Sequence, residues 1–213
     1  MKINSGCQDF DLFLEGGYES GLITGFYGAA STGKTTLVML AALEQIKRGK
    51  KVFFIDTEHG FYIERFQQLG GNLKSMESLF IFSIKDFNEQ CIRIEEIGKI
   101  ESFKDIGLIV IDTMSFFYRI ALQEDKVANS KVARQFKILS YLSREYDIPV
   151  LVTHQVYSKI EKNDTEVVGG DMIKNWCKWL IHLQKGNKRK AVLVKPLQRE
   201  FIFQIAENGI QKI

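Results

Sequence analysis

Gly28-Ala29-Ala30-Ser31-Thr32-Gly33-Lys34-Thr35 fits the spacing G-x-x-x-x-G-K-[ST]. It stands between an apolar, β-rich run, Leu22 to Tyr27, and a run of helical period, Lys34 to Lys47, that Gly49 stops. A strand that turns through glycine into a helix is the setting in which this spacing cradles phosphate, because loop amides and the helix N-terminus direct partial positive charge at an anion. Lys34 would reach the β and γ oxygens of a nucleotide, and the Thr35 hydroxyl would complete a magnesium shell. Gly28 and Gly33 are small where a side chain would block backbone approach, and Ala29, Ala30, Ser31, Thr32 and Thr36 complete the expected lining.

Outward from this loop, short apolar runs alternate with helical segments, the pattern of a parallel sheet flanked by helices. Lys51 to Asp56, Leu79 to Ser83, Leu108 to Asp112 and Val150 to Thr153 read as further strands. Most are apolar at successive positions, as central strands covered on both faces are. Asp86 with Glu89 predicts a capping box that starts a helix through about Ile100. Val132, Phe136, Leu139, Leu142 and Tyr146 form one buried helical stripe before Pro149 breaks the run. After Gly169-Gly170 the runs shorten, to Leu180–Leu183, Ala191–Val194 and Phe201–Ile205, with turn signals at Gly186-Asn187 and Asn208-Gly209. The expected fold is therefore α/β, a mostly parallel central sheet flanked by helices with an antiparallel C-terminal extension. Without repeats, linkers or low-complexity tracts, residues 1–213 are expected to form a single domain.

Composition excludes several classes. At 45% hydrophobic and 26% charged residues, the chain is not mainly disordered. Leu108 to Ile111 and Val150 to Val152 are too short to span a bilayer, and Met1 to Phe10 lacks the signal-peptide pattern, so a cytoplasmic protein with no membrane partner is expected. Cys7, Cys91 and Cys177 are odd in number and widely separated, which favours burial over a disulfide or zinc site. A net charge of +3 permits a DNA partner without requiring one.

Two carboxylates extend the phosphate loop's chemistry. Asp112 ends the run Leu108 to Asp112, at the sheet edge where phosphate sites lie, and would hold magnesium through water. Glu58, in Asp56-Thr57-Glu58-His59-Gly60-Phe61, follows another strand. Hydrolysis needs a group that orients and deprotonates water, whereas phosphoryl transfer to a small-molecule hydroxyl does not, so Glu58 points to an ATPase.

Asp56-Thr57-Glu58 resembles the catalytic-glutamate segment of the RecA and RadA recombinase superfamily. Ile3-Asn4-Ser5-Gly6-Cys7 with Gly16-Gly17 and Gly21, Ile111-Asp112-Thr113 with Tyr118-Arg119, Pro149 to Val156, and Val168-Gly169-Gly170 through Cys177-Lys178 are similar to other stretches of that family. The resemblance covers nearly the whole chain and implies a RecA-like P-loop NTPase core that uses ATP and Mg2+. It implies that Glu58, Lys34 and Gln155 are catalytic, Gln155 as a γ-phosphate sensor, with His154 standing where the family usually has Asn. It also implies that Arg65, after Tyr62-Ile63-Glu64, packs near the adenine, although Ile63 replaces the family's proline. The core motifs begin almost at Met1, the pattern expected of archaeal paralogues without the N-terminal DNA-binding domain and linker phenylalanine of strand-exchange recombinases.

Such a paralogue would serve DNA repair and recombination as a weak DNA-binding ATPase. It would bind single-stranded or branched DNA and assist or regulate a RadA-type recombinase or a structure-specific nuclease, with self-association compatible. The loop Tyr157 to Val168 offsets Lys159 and Lys162 with Glu161, Asp164 and Glu166, which makes it a poor phosphate tracker. A better DNA candidate is the basic turn Lys185-Gly186-Asn187-Lys188-Arg189-Lys190, with Lys195 and Arg199; a solvated turn is the alternative. The turn lies far along the chain from the phosphate loop and has no assigned part in its chemistry. A KaiC-like RecA-fold regulator without DNA, or a non-catalytic ATP-binding adaptor, shares the same nucleotide residues.

Overall fold

The protein is described by a computed structural model that covers residues 1–159 and 164–213. β1 (Lys2–Ile3) and β2 (Tyr18–Glu19) form a small antiparallel ribbon around α1 (Gln8–Phe13). There follow β3 (Ile23–Tyr27), α2 (Lys34–Lys47), β4 (Lys51–Asp56), α3 (Ile63–Gln68), α4 (Leu73–Met76), β5 (Leu79–Ser83) and α5 (Phe87–Ile97). Next come β6 (Ile106–Asp112), α6 (Phe116–Glu124), α7 (Ala128–Glu145), β7 (Val150–His154), β8 (Val156–Lys159) and β9 (Asp164–Val167). The chain ends with α8 (Gly170–Trp176), β10 (Trp179–Gln184), β11 (Arg189–Lys195), β12 (Arg199–Ala206) and β13 (Gly209–Lys212).

One nine-stranded sheet runs in the order β13-β12-β11-β10-β3-β7-β6-β4-β5. From β10 through β5 every neighbour is parallel, and β11, β12 and β13 add an antiparallel meander. The side-chain period of two explains the layers. Along β6, Leu108 and Val110 join Leu37, Leu40 and Phe54 on the α2 side. Ile109 and Ile111 join Phe136, Leu139 and Leu142 on the α7 side. Each such side chain contributes roughly 1.5–3 kcal/mol on burial, so both faces anchor the strand ends that carry the site.

Several boundaries differ from expectation for identifiable reasons. β5 is an edge strand, with Phe80 exposed, because it pairs with β4 on one side and ends the sheet on the other. The segment expected as a loop after Tyr157 pairs as the antiparallel hairpin β8–β9; Lys162 lies outside the described residues, as does the side chain of Lys159. The Asn208-Gly209 turn leads into β13, which registers Ala206 with Gly209 and completes the meander. The helix expected to reach Ile100 stops at Ile97, and Gly98 caps it. Its capping is split: Asp86 accepts the Glu89 amide at 2.8 Å, while Glu89 accepts the amide of Lys85 at 2.8 Å. All three cysteines are free; Cys177 is buried, which pushes its thiol up to about 12, whereas Cys7 and Cys91 are only half-buried. Among the described residues, no helix is long and apolar enough to cross a membrane.

Candidate nucleotide-binding site

Register brings the expected groups to one end of the sheet. Asp56 pairs with Asp112, and Tyr27 with His154, so the ends of β3, β4, β6 and β7 open onto one crevice. The phosphate loop joins β3 to α2 at that crevice. A Cβ on Gly28 would stand 2.2 Å from the Leu183 carbonyl oxygen, and Gly33 takes φ +106 with Ile205 against it, so both positions require glycine. Thr32 Oγ1 donates to the Ala29 carbonyl at 2.9 Å, while Ala29, Ala30 and Ser31 face solvent. Lys34 Nζ turns back onto the carbonyls of Gly28 at 2.8 Å and Ala29 at 3.0 Å. Burial lowers its pKa, and the charges of Asp112 and Glu58 oppose that shift. The first helical amide bonded to a backbone carbonyl is that of Leu37, to Gly33 at 3.0 Å, which leaves the amides of Lys34, Thr35 and Thr36 turned to the crevice end of α2.

Asp112 is buried beneath the loop. Thr35 Oγ1 donates to its Oδ2 at 2.7 Å, and Thr153 Oγ1 donates to Oδ1. Burial raises its pKa to about 6, against the lowering by both hydroxyls. Among the described residues, no group of three or more His, Cys, Asp or Glu could hold a metal by itself. One carboxylate beside one hydroxyl fits magnesium, which keeps waters and takes its other ligands from nucleotide phosphates.

Glu58 is positioned from below. The Asp56 carboxylate accepts the amides of Gly60 at 3.1 Å and Phe61 at 3.0 Å and so fixes the turn after β4. Thr57 Oγ1 donates to the Thr113 carbonyl at 2.7 Å and accepts the Thr113 amide at 2.8 Å, tying that turn to β6. Glu58 itself is exposed, and its Oε1 accepts Gln155 Nε2 at 3.0 Å. The Gln155 amide nitrogen donates to Ser115 Oγ at 2.7 Å, and its carbonyl accepts the Val168 amide at 3.2 Å, at the base of the β8–β9 hairpin. Its side-chain oxygen is buried without a partner among the described residues. Asp56, Thr57, Ser115 and Thr153 are supports that reading the motifs alone misses; Asp56 and Thr57 sit inside the quoted segment, while Ser115 has no sequence signal.

His154 is fully buried against Phe136, and neither ring nitrogen has a partner among the described residues. Burial, with the Lys34 charge second, pushes its pKa down to about 3. The folded protein thus keeps His154 neutral, while the unfolded chain takes up a proton below about pH 6.5. Its contribution is present at pH 7 and is lost as pH falls through the interval from 6.5 towards 3. His154→Leu is expected to match or exceed wild-type stability at pH 7 and to gain about 2 kcal/mol on it by pH 5, read from denaturant unfolding at both pH values. A gap that does not widen on acidification contradicts this burial.

Arg65 spans from α3 to the β12–β13 turn, donating to Ala206 O at 3.0 Å, Glu207 O at 2.8 Å and Gln68 Oε1 at 3.0 Å. That turn follows Ile205, which packs on Gly33, whereas Arg65 does not border the cavity beside the phosphate loop. The basic residues separate. Lys190 pairs with Glu200 at 3.0 Å, Arg199 with Glu15 at 2.6 Å, and Lys195 Nζ donates to Lys174 O at 2.9 Å. Lys185 and Lys188 are exposed. Arg189 Nε donates to the Ser31 carbonyl at 3.3 Å, so the turn, far along the chain from the phosphate loop, touches it in space.

Strand order, crevice and phosphate loop together define a RecA-like P-loop NTPase fold. The profile of the Rad51 family matches residues 1–213, and the chain belongs to that family. It is similar to the DNA repair and recombination protein RadB of Methanococcoides burtonii, at 35% identity over 90% of this chain and 88% of that protein. The RadB of Methanoculleus marisnigri is 34% identical over 100% of this chain and 98% of its own length. A crystal structure of the RadB recombinase superposes with a TM-score of 0.83 at 30% identity, covering 99% of both chains.

Proposed function

We propose that this chain is an ATP- and Mg2+-binding DNA repair and recombination protein that binds DNA and assists or regulates a recombinase without exchanging strands itself. The observation that carries the nucleotide reading is the convergence of Lys34, Thr35, Asp112, Glu58 and Gln155 on one crevice. The relatives named for DNA repair and recombination support the biological setting. Residues 1–213 act as one RecA-like core in the cytoplasm.

When nucleotide binds, Lys34 exchanges the loop carbonyls for β and γ oxygens, and the loop amides close on the phosphates. Thr35 and, through water, Asp112 would hold magnesium, which when bound would offset negative charge on the phosphates. Glu58 orients and deprotonates the attacking water. Gln155 senses the γ phosphate and passes its loss, through Val168, to the β8–β9 hairpin. Arg65 flanks the adenine. Turnover is weak. Single-stranded or branched DNA is the nucleic-acid substrate, a RadA-type recombinase or structure-specific nuclease the protein partner, and self-association accompanies assembly.

For DNA, the exposed cations Lys185 and Lys188 are the part of the basic turn best placed to track phosphates, since carboxylates already neutralise Lys190 and Arg199. Lys185→Ala with Lys188→Ala is expected to weaken binding several-fold at all sequences and to reduce the salt slope by about 1–2, read from fluorescence anisotropy across a salt series. An unchanged affinity and slope removes the turn from the interface.

A further inference from the structure

Arg189 opens β11, and the two-residue period decides where it points. Ala191 and Leu193 on the same strand are buried in the core beside α2, and Arg189 shares their face; Lys190 alternates to the other, and Lys188 lies in the exposed turn before the strand. In register, Arg189 lies opposite Phe203, and Phe203 and Ile205 are the β12 side chains that approach Gly33. Arg189, Ser31, Gly33, Lys34, Thr36 and Ile205 border a cavity of about 230 Å³ on this side of the phosphate loop.

The guanidinium is not neutralised there. Its one hydrogen bond is the long contact from Nε to the uncharged Ser31 carbonyl, and no carboxylate pairs with it among the described residues. Its neighbours on the meander, Lys190 and Arg199, both have acidic partners. Arg carries a permanent charge and a planar fork of donors that matches phosphate oxygens, and these donors face a cavity walled by phosphate-loop residues. The backbone position of Ser31, at φ +62, presents the carbonyl that Arg189 holds.

We propose that Arg189 is a nucleotide-binding residue, a second cation beside Lys34 that leaves the Ser31 carbonyl to bond the phosphates of a nucleoside di- or triphosphate in its own chain. This rests on the nucleotide reading above and removes Arg189 from the DNA-tracking set. It makes the hairpin two-sided, with Arg189 reporting to the nucleotide and Lys185 and Lys188 facing solvent.

The test is titration calorimetry of Mg-ATP and Mg-ADP on the full chain, comparing wild type with Arg189→Ala, Arg189→Lys, Lys34→Ala and, as a charge control, Lys137→Ala on the exposed side of α7. Loss of one charge-assisted phosphate contact is expected to weaken both nucleotides by about ten- to hundred-fold in Arg189→Ala. Arg189→Lys, which retains charge but not the fork, is expected to lose less, and Lys137→Ala nothing. If Arg189→Ala does not fold by circular dichroism, Arg189→Lys alone decides, with a loss of at least about three-fold expected. Affinities within two-fold of wild type in the folded Arg189 variants, while Lys34→Ala loses binding, overturn this proposal alone. A drop in nucleotide-free DNA affinity with unchanged Mg-ATP affinity overturns it as well, and a wild type that binds no nucleotide overturns both this proposal and the reading beneath it.

Discussion

Lys34→Ala is expected to remove measurable Mg-ATP binding from an otherwise folded protein. The lysine is half-buried at the crevice end of α2, and in the absence of phosphate it occupies only two carbonyls of its own loop. Those contacts reach only the loop's own carbonyls and together add little to stability, so truncation leaves the strand, the loop glycines and the helix in place. With nucleotide, the same ammonium faces two anionic phosphates from a partly desolvated position. Truncating one partner of such a charge pair costs about 2–5 kcal/mol or more, a roughly 30-fold to several-thousand-fold loss of affinity. Calorimetric titration reads this directly. Wild-type affinity in a folded variant removes the phosphate-loop assignment.

Glu58→Gln is expected to separate binding from hydrolysis. The carboxylate stands at the solvent mouth of the crevice and accepts Gln155 Nε2, and an amide oxygen can accept the same bond. The turn beneath it is fixed by Asp56 and Thr57, which the substitution does not touch. Shape and nucleotide affinity should therefore stay close to wild type, while the group able to take a proton from water is gone. General-base loss lowers the chemical step by about 10²–10⁴-fold, and single-turnover hydrolysis with bound ATP isolates that step from product release. Equal single-turnover rates exclude Glu58 as the base.

The parts of this site that are legible in the chain are those encoded by short spacings. Gly28 to Thr35 carries its loop, its lysine and its hydroxyl in consecutive residues, and the strand before it and helix after it fall where their periodicities predict. Asp112 and Glu58 are legible because each ends or closely follows an apolar run, and parallel strands bring such ends together. What is not legible depends on pairing across the chain. Thr153 reaches Asp112 only because β7 lies next to β6, and Ser115 supports Gln155 from a different connection.

The basic turn shows the same limit. Lys188-Arg189-Lys190 reads as one cluster, yet strand alternation sends Arg189 to the phosphate loop and Lys190 to the other face, while Lys188 stays in the exposed turn. Glu15, which pairs with Arg199, comes from the other end of the chain, and Glu200 reaches Lys190 only through the pairing of β11 with β12. His154 is similar: its burial follows from Phe136 on α7, a helix whose stripe is visible but whose docking is not. β5 reads like its neighbours and becomes an edge only through the order of the whole sheet.

If nucleotide and DNA sites act together, as Arg189 between the phosphate loop and the basic turn suggests, DNA affinity should depend on the nucleotide. The measurement that tests the central claim most directly is equilibrium binding of the wild-type chain to single-stranded and branched DNA across a salt series, with and without Mg-ATP. A DNA-binding ATPase of this family is predicted to bind with an affinity that falls steeply as salt rises and that Mg-ATP shifts by several-fold. No DNA binding at low salt, or binding that is indifferent to both salt and Mg-ATP, would contradict it.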